Sequence, residues 1–217
     1  MENWLDGKVA LVTGASAGLG RHFAHLLARK RATVILAARR VDSLKEACAE
    51  IVAAGGKASA VALDVTDEGS IASAFEEIGG PVDIVVNNAG ISGVKPALEV
   101  TAEDWDRVVD TNLRGVFLVA QAAAKGMKGR GGSIINVASI LGHRVAGNLA
   151  PYAASKAGVV QLTEALALEW AKYGIRVNSI CPGYFETDIN SDFFKTEAGL
   201  ALIKRIPQRR LGQLEDL

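Results

Sequence analysis

The run Lys8-Val9-Ala10-Leu11-Val12-Thr13-Gly14-Ala15-Ser16-Ala17-Gly18-Leu19-Gly20 carries a short apolar strand into three glycines, and the residues after Gly20 take up helical periodicity. A strand that turns through glycines directly into a helix opens a strand-helix-strand unit. Gly14 permits the tight turn, Gly18 lets backbone amides approach an anion, and Gly20 lets the helix pack close to the strand. The helix N-terminus adds partial positive charge. Gly14, Ser16, Gly18, Leu19 and Gly20 therefore read as a cradle for a pyrophosphate. A glycine triplet alone is as readily a structural turn, so the reading rests on its position between the first strand and the first helix.

Working outward, short apolar runs at 8–12, 33–37, 58–63, 82–86, 133–137 and 175–181 read as buried strands. Helical periodicity fills 18–30, 42–54, 67–78, 102–125 and 152–173, with Gly55 and Gly174 suited to left-handed helix ends. This alternation predicts an α/β fold: a doubly wound parallel sheet of Rossmann type, in three layers, with ligands at the carboxyl ends of the strands. The 217 residues fit one domain, 1–217. Lys+Arg and Asp+Glu both number 24, and this balance offers no field for a nucleic acid. The first residues form no signal peptide and no apolar run is long enough to span a membrane, so a cytoplasmic protein with no membrane partner is expected. Cys48 and Cys181 are too few and too far apart for a disulfide framework or a metal site.

The second strand ends in Ala37-Ala38-Arg39-Arg40. An NAD site would place an acidic residue there to grip the ribose 2′-hydroxyl. Asp42 comes too late and reads as the cap of the next helix. Alanine followed by Arg39 leaves room for a 2′-phosphate and supplies a forked donor, with Ser16 as a second, so NADP(H) is favoured over NAD(H). The plainer reading makes Arg39 and Arg40 solvated charges after a strand.

Ser139 follows the fifth strand, and Tyr152 and Lys156 lie four apart on one face of the next long helix. A phenol titrates at about pH 10 in water, and bringing it to about 7 requires roughly 4 kcal/mol. An adjacent ammonium can supply much of that, so Lys156 is expected to depress Tyr152, helped by the positive charge of an oxidised nicotinamide, while Ser139 hydrogen-bonds the substrate oxygen. Singly, such residues are more often packing or surface groups; together behind a phosphate loop they read as a proton-transfer site.

In these features the chain resembles the short-chain dehydrogenase/reductase family, from about Gly7 onward. The cofactor pattern is Thr13-Gly14-x-x-x-Gly18-x-Gly20, with Asp64-Val65 on the adenine side and Asn87-Asn88-Ala89-Gly90 after the fourth strand. The resemblance implies cofactor contacts from Asp64, Val65, Asn88, Ala89, Gly90, Tyr152, Lys156, Pro182, Gly183 and Thr187, and a tetrad of Asn112, Ser139, Tyr152 and Lys156. It also implies that Asn112 holds a water in a proton relay from Lys156. The expected activity is hydride transfer between a nicotinamide and a carbonyl or secondary alcohol, with Tyr152 as general acid and base and with no metal. The family's habit implies a homodimer or homotetramer built on the helices that carry Asn112 and Tyr152.

Two other readings compete. A cofactor-sensing protein without turnover would need only the loop at 14–20, and an epimerase or dehydratase would usually carry a separate substrate domain. Substrate choice is expected to rest on 143–149 and on 184–201, where Phe185, Ile189, Phe193 and Phe194 make an apolar cover. That leaves 3-oxoacyl thioesters, steroids, sugars and small ketones open. Residues 206–217 resemble the point where family members begin another helix and a last strand, so a C-terminal truncation with an exposed edge at 175–181 is expected.

Overall fold

A computed structural model describes residues 4–187 and 190–217. Six strands, β1 (Val9–Thr13), β2 (Thr33–Ala38), β3 (Lys57–Ala62), β4 (Ile84–Asn87), β5 (Gly132–Val137) and β6 (Ile175–Ile180), form one sheet in the order β3-β2-β1-β4-β5-β6. Every neighbouring pair is parallel. The cause is visible in β1, where Ala10 to Thr13 are all buried, so each face of the strand must be covered. Side chains alternate: Ala10 and Val12 enter one core, Leu11 the other.

Helices α1 (Gly18–Arg29) and α2 (Val41–Ala53) bury Phe23, Ala24, Leu44 and Ile51 in the first core. The second is covered by α3 (Glu68–Ile78), by α5 (Gly115–Met127), which follows α4 (Ala102–Val109), and by α6 (Ala150–Trp170). The result is the three-layer α/β fold anticipated above. The order reverses between β1 and β4, and the ladder pairs Thr13 with Ala37 and Asn87 with Asn136 bring the carboxyl ends onto one edge. Two short helices, α7 (Ser191–Phe194) and α8 (Glu197–Ile203), follow β6.

Two local expectations need correction. The single helix expected over 102–125 is two helices joined by a turn of wider π winding at Asp110–Arg114, which carries the fully buried Asn112. The first helical turn of α2 contains Asp42, but the capping position is Arg40. Residues 206–217 carry one short helical turn, at Leu214–Asp216, and one bridge, Gly212 to Phe185. Among the described residues β6 pairs only with β5, and no helix is long and apolar enough to cross a membrane.

Candidate active site

The turn after β1 is built by two side chains that reach across the sheet. Thr13 Oγ1 accepts hydrogen bonds from the backbone N–H groups of Asn88 (3.0 Å) and Ala89 (3.1 Å), and Asn88 Nδ2 donates to the carbonyls of Thr13 (3.0 Å) and Gly14 (3.3 Å). The loops after β1 and β4 are thereby locked together. Gly14 has φ +64° and a Cβ there would lie 2.8 Å from the Cα of Ala89, while a Cβ on Gly20 would collide with the Gly14 carbonyl. Gly18, at φ +54°, faces Thr187. Leu19 packs into the first core and fixes the start of α1. Thr13 had no individual role in the sequence reading; its signal was a polar residue ending an otherwise apolar strand.

Beside this crevice, Arg40 Nη2 donates to Ser16 Oγ at 3.1 Å, and both residues face solvent. Arg39 is also exposed and stands near Asp64. The Asp64 carboxyl is held below its ordinary range first by the Thr66 backbone N–H at 3.0 Å, then by the Thr66 hydroxyl at 2.7 Å, with Arg39 adding to the effect. The arginine in contact with Ser16 is therefore Arg40, to which sequence reasoning gave no role. Val65 lies under Gly115, where a Cβ would approach its Cγ2 to 2.8 Å.

On the β4–β6 side four polar groups converge. Asn112 Oδ1 accepts from the Ile91 backbone N–H (2.8 Å), and its Nδ2 donates to the Ile91 carbonyl (2.8 Å) and to Ser155 Oγ (3.1 Å). Ser155 in turn donates to the Tyr152 carbonyl at 2.7 Å, so Asn112 ties the loop after Gly90 to the start of α6. Both N–H groups of this amide are engaged within the chain. Ser155 is a residue the sequence reading passed over.

Ser139 follows β5 by two residues and is 7% exposed; its Oγ accepts from the Leu141 N–H at 3.1 Å and meets the Tyr152 phenol. Lys156 is 4% exposed, donates from Nζ to the Val137 carbonyl at 2.7 Å, and has its Nζ 5.8 Å from the Tyr152 ring centre. Burial lowers Lys156 from 10.5 to about 8. Burial also pushes the Tyr152 phenol upward, and the bond to Ser139 only partly offsets this. The Lys156 ammonium thus lies over the Tyr152 ring and donates toward Val137.

The β5–β6 ladder continues beyond the strands through Ala138 N–H to the Ile180 carbonyl (2.8 Å) and Ile140 N–H to the Pro182 carbonyl (2.9 Å), bringing Pro182 and Gly183 beside Ser139. Thr187 leads back toward Gly18. Of the apolar cover, Phe194 is buried against Tyr184 and Phe193, whereas Phe193 is half exposed, and Ile189 lies outside the described residues. Among the described residues no cluster of three or more His, Cys, Asp or Glu side chains is arranged to hold a metal ion.

A dinucleotide fits this edge. Gly14 and Gly20 let the turn after β1 close tightly against Asn88 and Ala89 at the N-terminus of α1, at the reversal of strand order, and Gly90 beyond it faces Asn112 and Lys156. Comparison with known proteins agrees. The short chain dehydrogenase family matches residues 8–198. The gluconate 5-dehydrogenase of Gluconobacter oxydans is 41% identical over 98% of this chain and 85% of its own. The 3-oxoacyl-[acyl-carrier-protein] reductase of Escherichia coli is 38% identical over 98% and 87%. A crystal structure of a gluconate 5-dehydrogenase from Burkholderia cenocepacia, in complex with NADP and tartrate, superposes with a TM-score of 0.93 at 36% identity, covering 98% of this chain and 85% of that one. Fold, crevice and relatives together make the chain a member of the short-chain dehydrogenase/reductase family, an NAD(P)-dependent oxidoreductase that interconverts carbonyl and alcohol groups.

Proposed function

We propose that Tyr152 exchanges the proton at the oxygen of a ketone or secondary alcohol, that Ser139 and Lys156 hold that reaction centre, and that NADP(H) is the preferred coenzyme. The observation that carries this reading is the convergence of Ser139, Tyr152 and the buried Lys156 at the carboxyl ends of β4 to β6. The nicotinamide, when bound, supplies or removes the hydride. Ser139 and the phenol of Tyr152 offer two polar hydrogens to one substrate oxygen, and Tyr152 delivers its proton there as charge develops. Lys156 is anchored by Val137, so its ammonium is held in a dry site where its charge acts strongly on the phenolate. Asn112 acts through Ile91 and Ser155 and is a positioning residue.

Support for NADP(H) comes from Arg39 and Arg40 past β2, with Arg40 bonded to Ser16 past β1 and no acidic residue at Ala38. Support for a second copy of this chain as partner comes from α5 and α6. Their outer side carries a shallow groove of about 470 Å³ lined by Leu113, Phe117, Gly158, Leu162 and Ala165, and Leu168 of α6 is 82% exposed. Light scattering of the purified chain tests that pairing.

A screen of carbonyl compounds and alcohols, followed by absorbance of the reduced nicotinamide, tests the main reading. Turnover that disappears in Tyr152→Phe with coenzyme binding retained is expected. A Tyr152→Phe protein with ordinary kcat overturns it.

A further inference from the structure

Residues 206–217 return to the loop after β6 at a point remote from the reacting groups. Gly212 donates its N–H to the Tyr184 carbonyl at 2.8 Å and forms a parallel bridge with Phe185. The contact leaves no room for a side chain, because a Cβ on Gly212 would lie 2.5 Å from Cζ of the Phe185 ring. The Phe185 carbonyl accepts from Asn190 Nδ2 at 2.8 Å. The other end of that amide, Oδ1, accepts from Thr187 N–H (2.8 Å) and Thr187 Oγ1 (3.3 Å). Thr187 Cγ2 lies 3.6 Å from where a Cβ of Gly18 would stand.

Behind Gly212, the segment is fastened to itself. Arg210 Nη1 and Nη2 meet the two Asp216 carboxylate oxygens at 2.6 and 3.3 Å, and Gln213 N–H donates to Asp216 Oδ2 at 2.9 Å. Leu217 packs into the core that also holds Leu19 and Phe23, at the start of α1. An unbroken series of contacts therefore runs from residues 210–217 through Phe185 and Asn190 to Thr187 and the glycine loop. Nothing in it touches Ser139, Tyr152 or Lys156.

We propose that Gly212 and Asn190 are positioning residues for coenzyme binding: the bare backbone of Gly212 lets Phe185 seat, and Asn190 transmits that seating to Thr187 over Gly18. This rests on the reading of residues 14–20 as the coenzyme's phosphate cradle. Packing of this kind has few alternative arrangements, so a methyl group at 212 shifts the ring and, through one amide, the threonine.

The test is titration of the full 217-residue chain with NADPH, followed by the fluorescence of the reduced nicotinamide. Gly212→Ala is expected to raise Kd for NADPH about tenfold, the loss of one displaced hydrogen-bonded contact. The thermal midpoint of the coenzyme-free protein should hardly move. Adding Phe185→Leu to Gly212→Ala removes the ring the methyl strikes and should restore most of the affinity, a recovery that loss of general stability would not show. Asn190→Ala adds no atoms and should weaken NADPH to a similar degree, and it carries the test if Gly212→Ala does not fold. Affinity within about twofold of the unmodified chain in both single variants, or no recovery in the double variant, overturns the proposal. An unmodified chain that binds neither NADPH nor NADH instead overturns the assignment of the glycine loop, and this inference with it.

Discussion

The two halves of the carboxyl edge are built on opposite principles. Past β1 and β2, Arg39 and Arg40 stand in water, and the bond from Arg40 to the half-buried Ser16 is the kind that solvent and salt screen. Past β4 and β5, Asn112, Ser139 and Lys156 are no more than 7% exposed; Asn112 and Lys156 are held by backbone groups from other parts of the chain, and Ser139 by the N–H of Leu141. Burial dominates here: it lowers Lys156 to about 8, and it raises Tyr152, against which the bond to Ser139 is only a partial offset. The exposed half is left to be organised by its ligand, whereas the buried half is organised before any ligand arrives.

The largest effect should fall on the buried half. Tyr152→Phe removes the transferable proton and is expected to lower kcat by about 10³-fold while leaving the Kd for coenzyme within about twofold. Steady-state kinetics and coenzyme titration decide it, and comparable kcat in the variant would dissolve the distinction between the halves. Next is Asn112→Ala, which strips three hydrogen bonds from a fully buried amide and leaves both polar groups of Ile91 unpaired. A loss on the order of 3 kcal/mol in urea unfolding is expected, against a few tenths for Arg40→Ala. Equal losses would show that burial does not separate them.

Lys156 sharpens the contrast through pH. Its folded value of about 8 lies below the ordinary 10.5, so between those limits the unfolded chain keeps a proton that the folded chain has lost. Stability from this group therefore rises with pH across that window. Measured against Lys156→Met, the unmodified protein should gain on the order of 1.5 kcal/mol between about pH 8 and about pH 9.5. Parallel stability curves would mean that Lys156 is not as dry as its surroundings imply. The smallest effect belongs to the exposed half: Arg39→Ala and Arg40→Ala should each weaken NADPH by up to about tenfold and leave NADH nearly unchanged, less so as salt is added. Equal affinity of the unmodified chain for the two coenzymes would remove the basis for that assignment.

Local patterns were legible wherever the physical cause is local. Alternating strand and helix periods, the glycine spacing after β1 and the four-residue step from Tyr152 to Lys156 are each set by backbone geometry over a single turn or strand, and a sequence displays them directly. The helix over 102–125 was misread because its interruption at Asp110–Arg114 accompanies a side chain whose partners, Ile91 and Ser155, lie 21 and 43 residues away. The backbone partner of Lys156 was out of reach for the same reason. Sequence spacing puts Tyr152 and Lys156 on one helical face, but the Val137 carbonyl, 19 residues off, takes the ammonium.

What the sequence determined by itself is therefore the parallel sheet, the order of its elements and the residue types that meet at the carboxyl edge, because hydrophobic period and glycine conformation act within a few residues. Only the tertiary structure decided which partner each buried polar group takes, that Arg40 reaches Ser16, and that Gly212 meets Phe185. Those pairings depend on segments brought together by packing, where a desolvated donor must find whichever acceptor the fold presents, and no spacing along the chain encodes that choice.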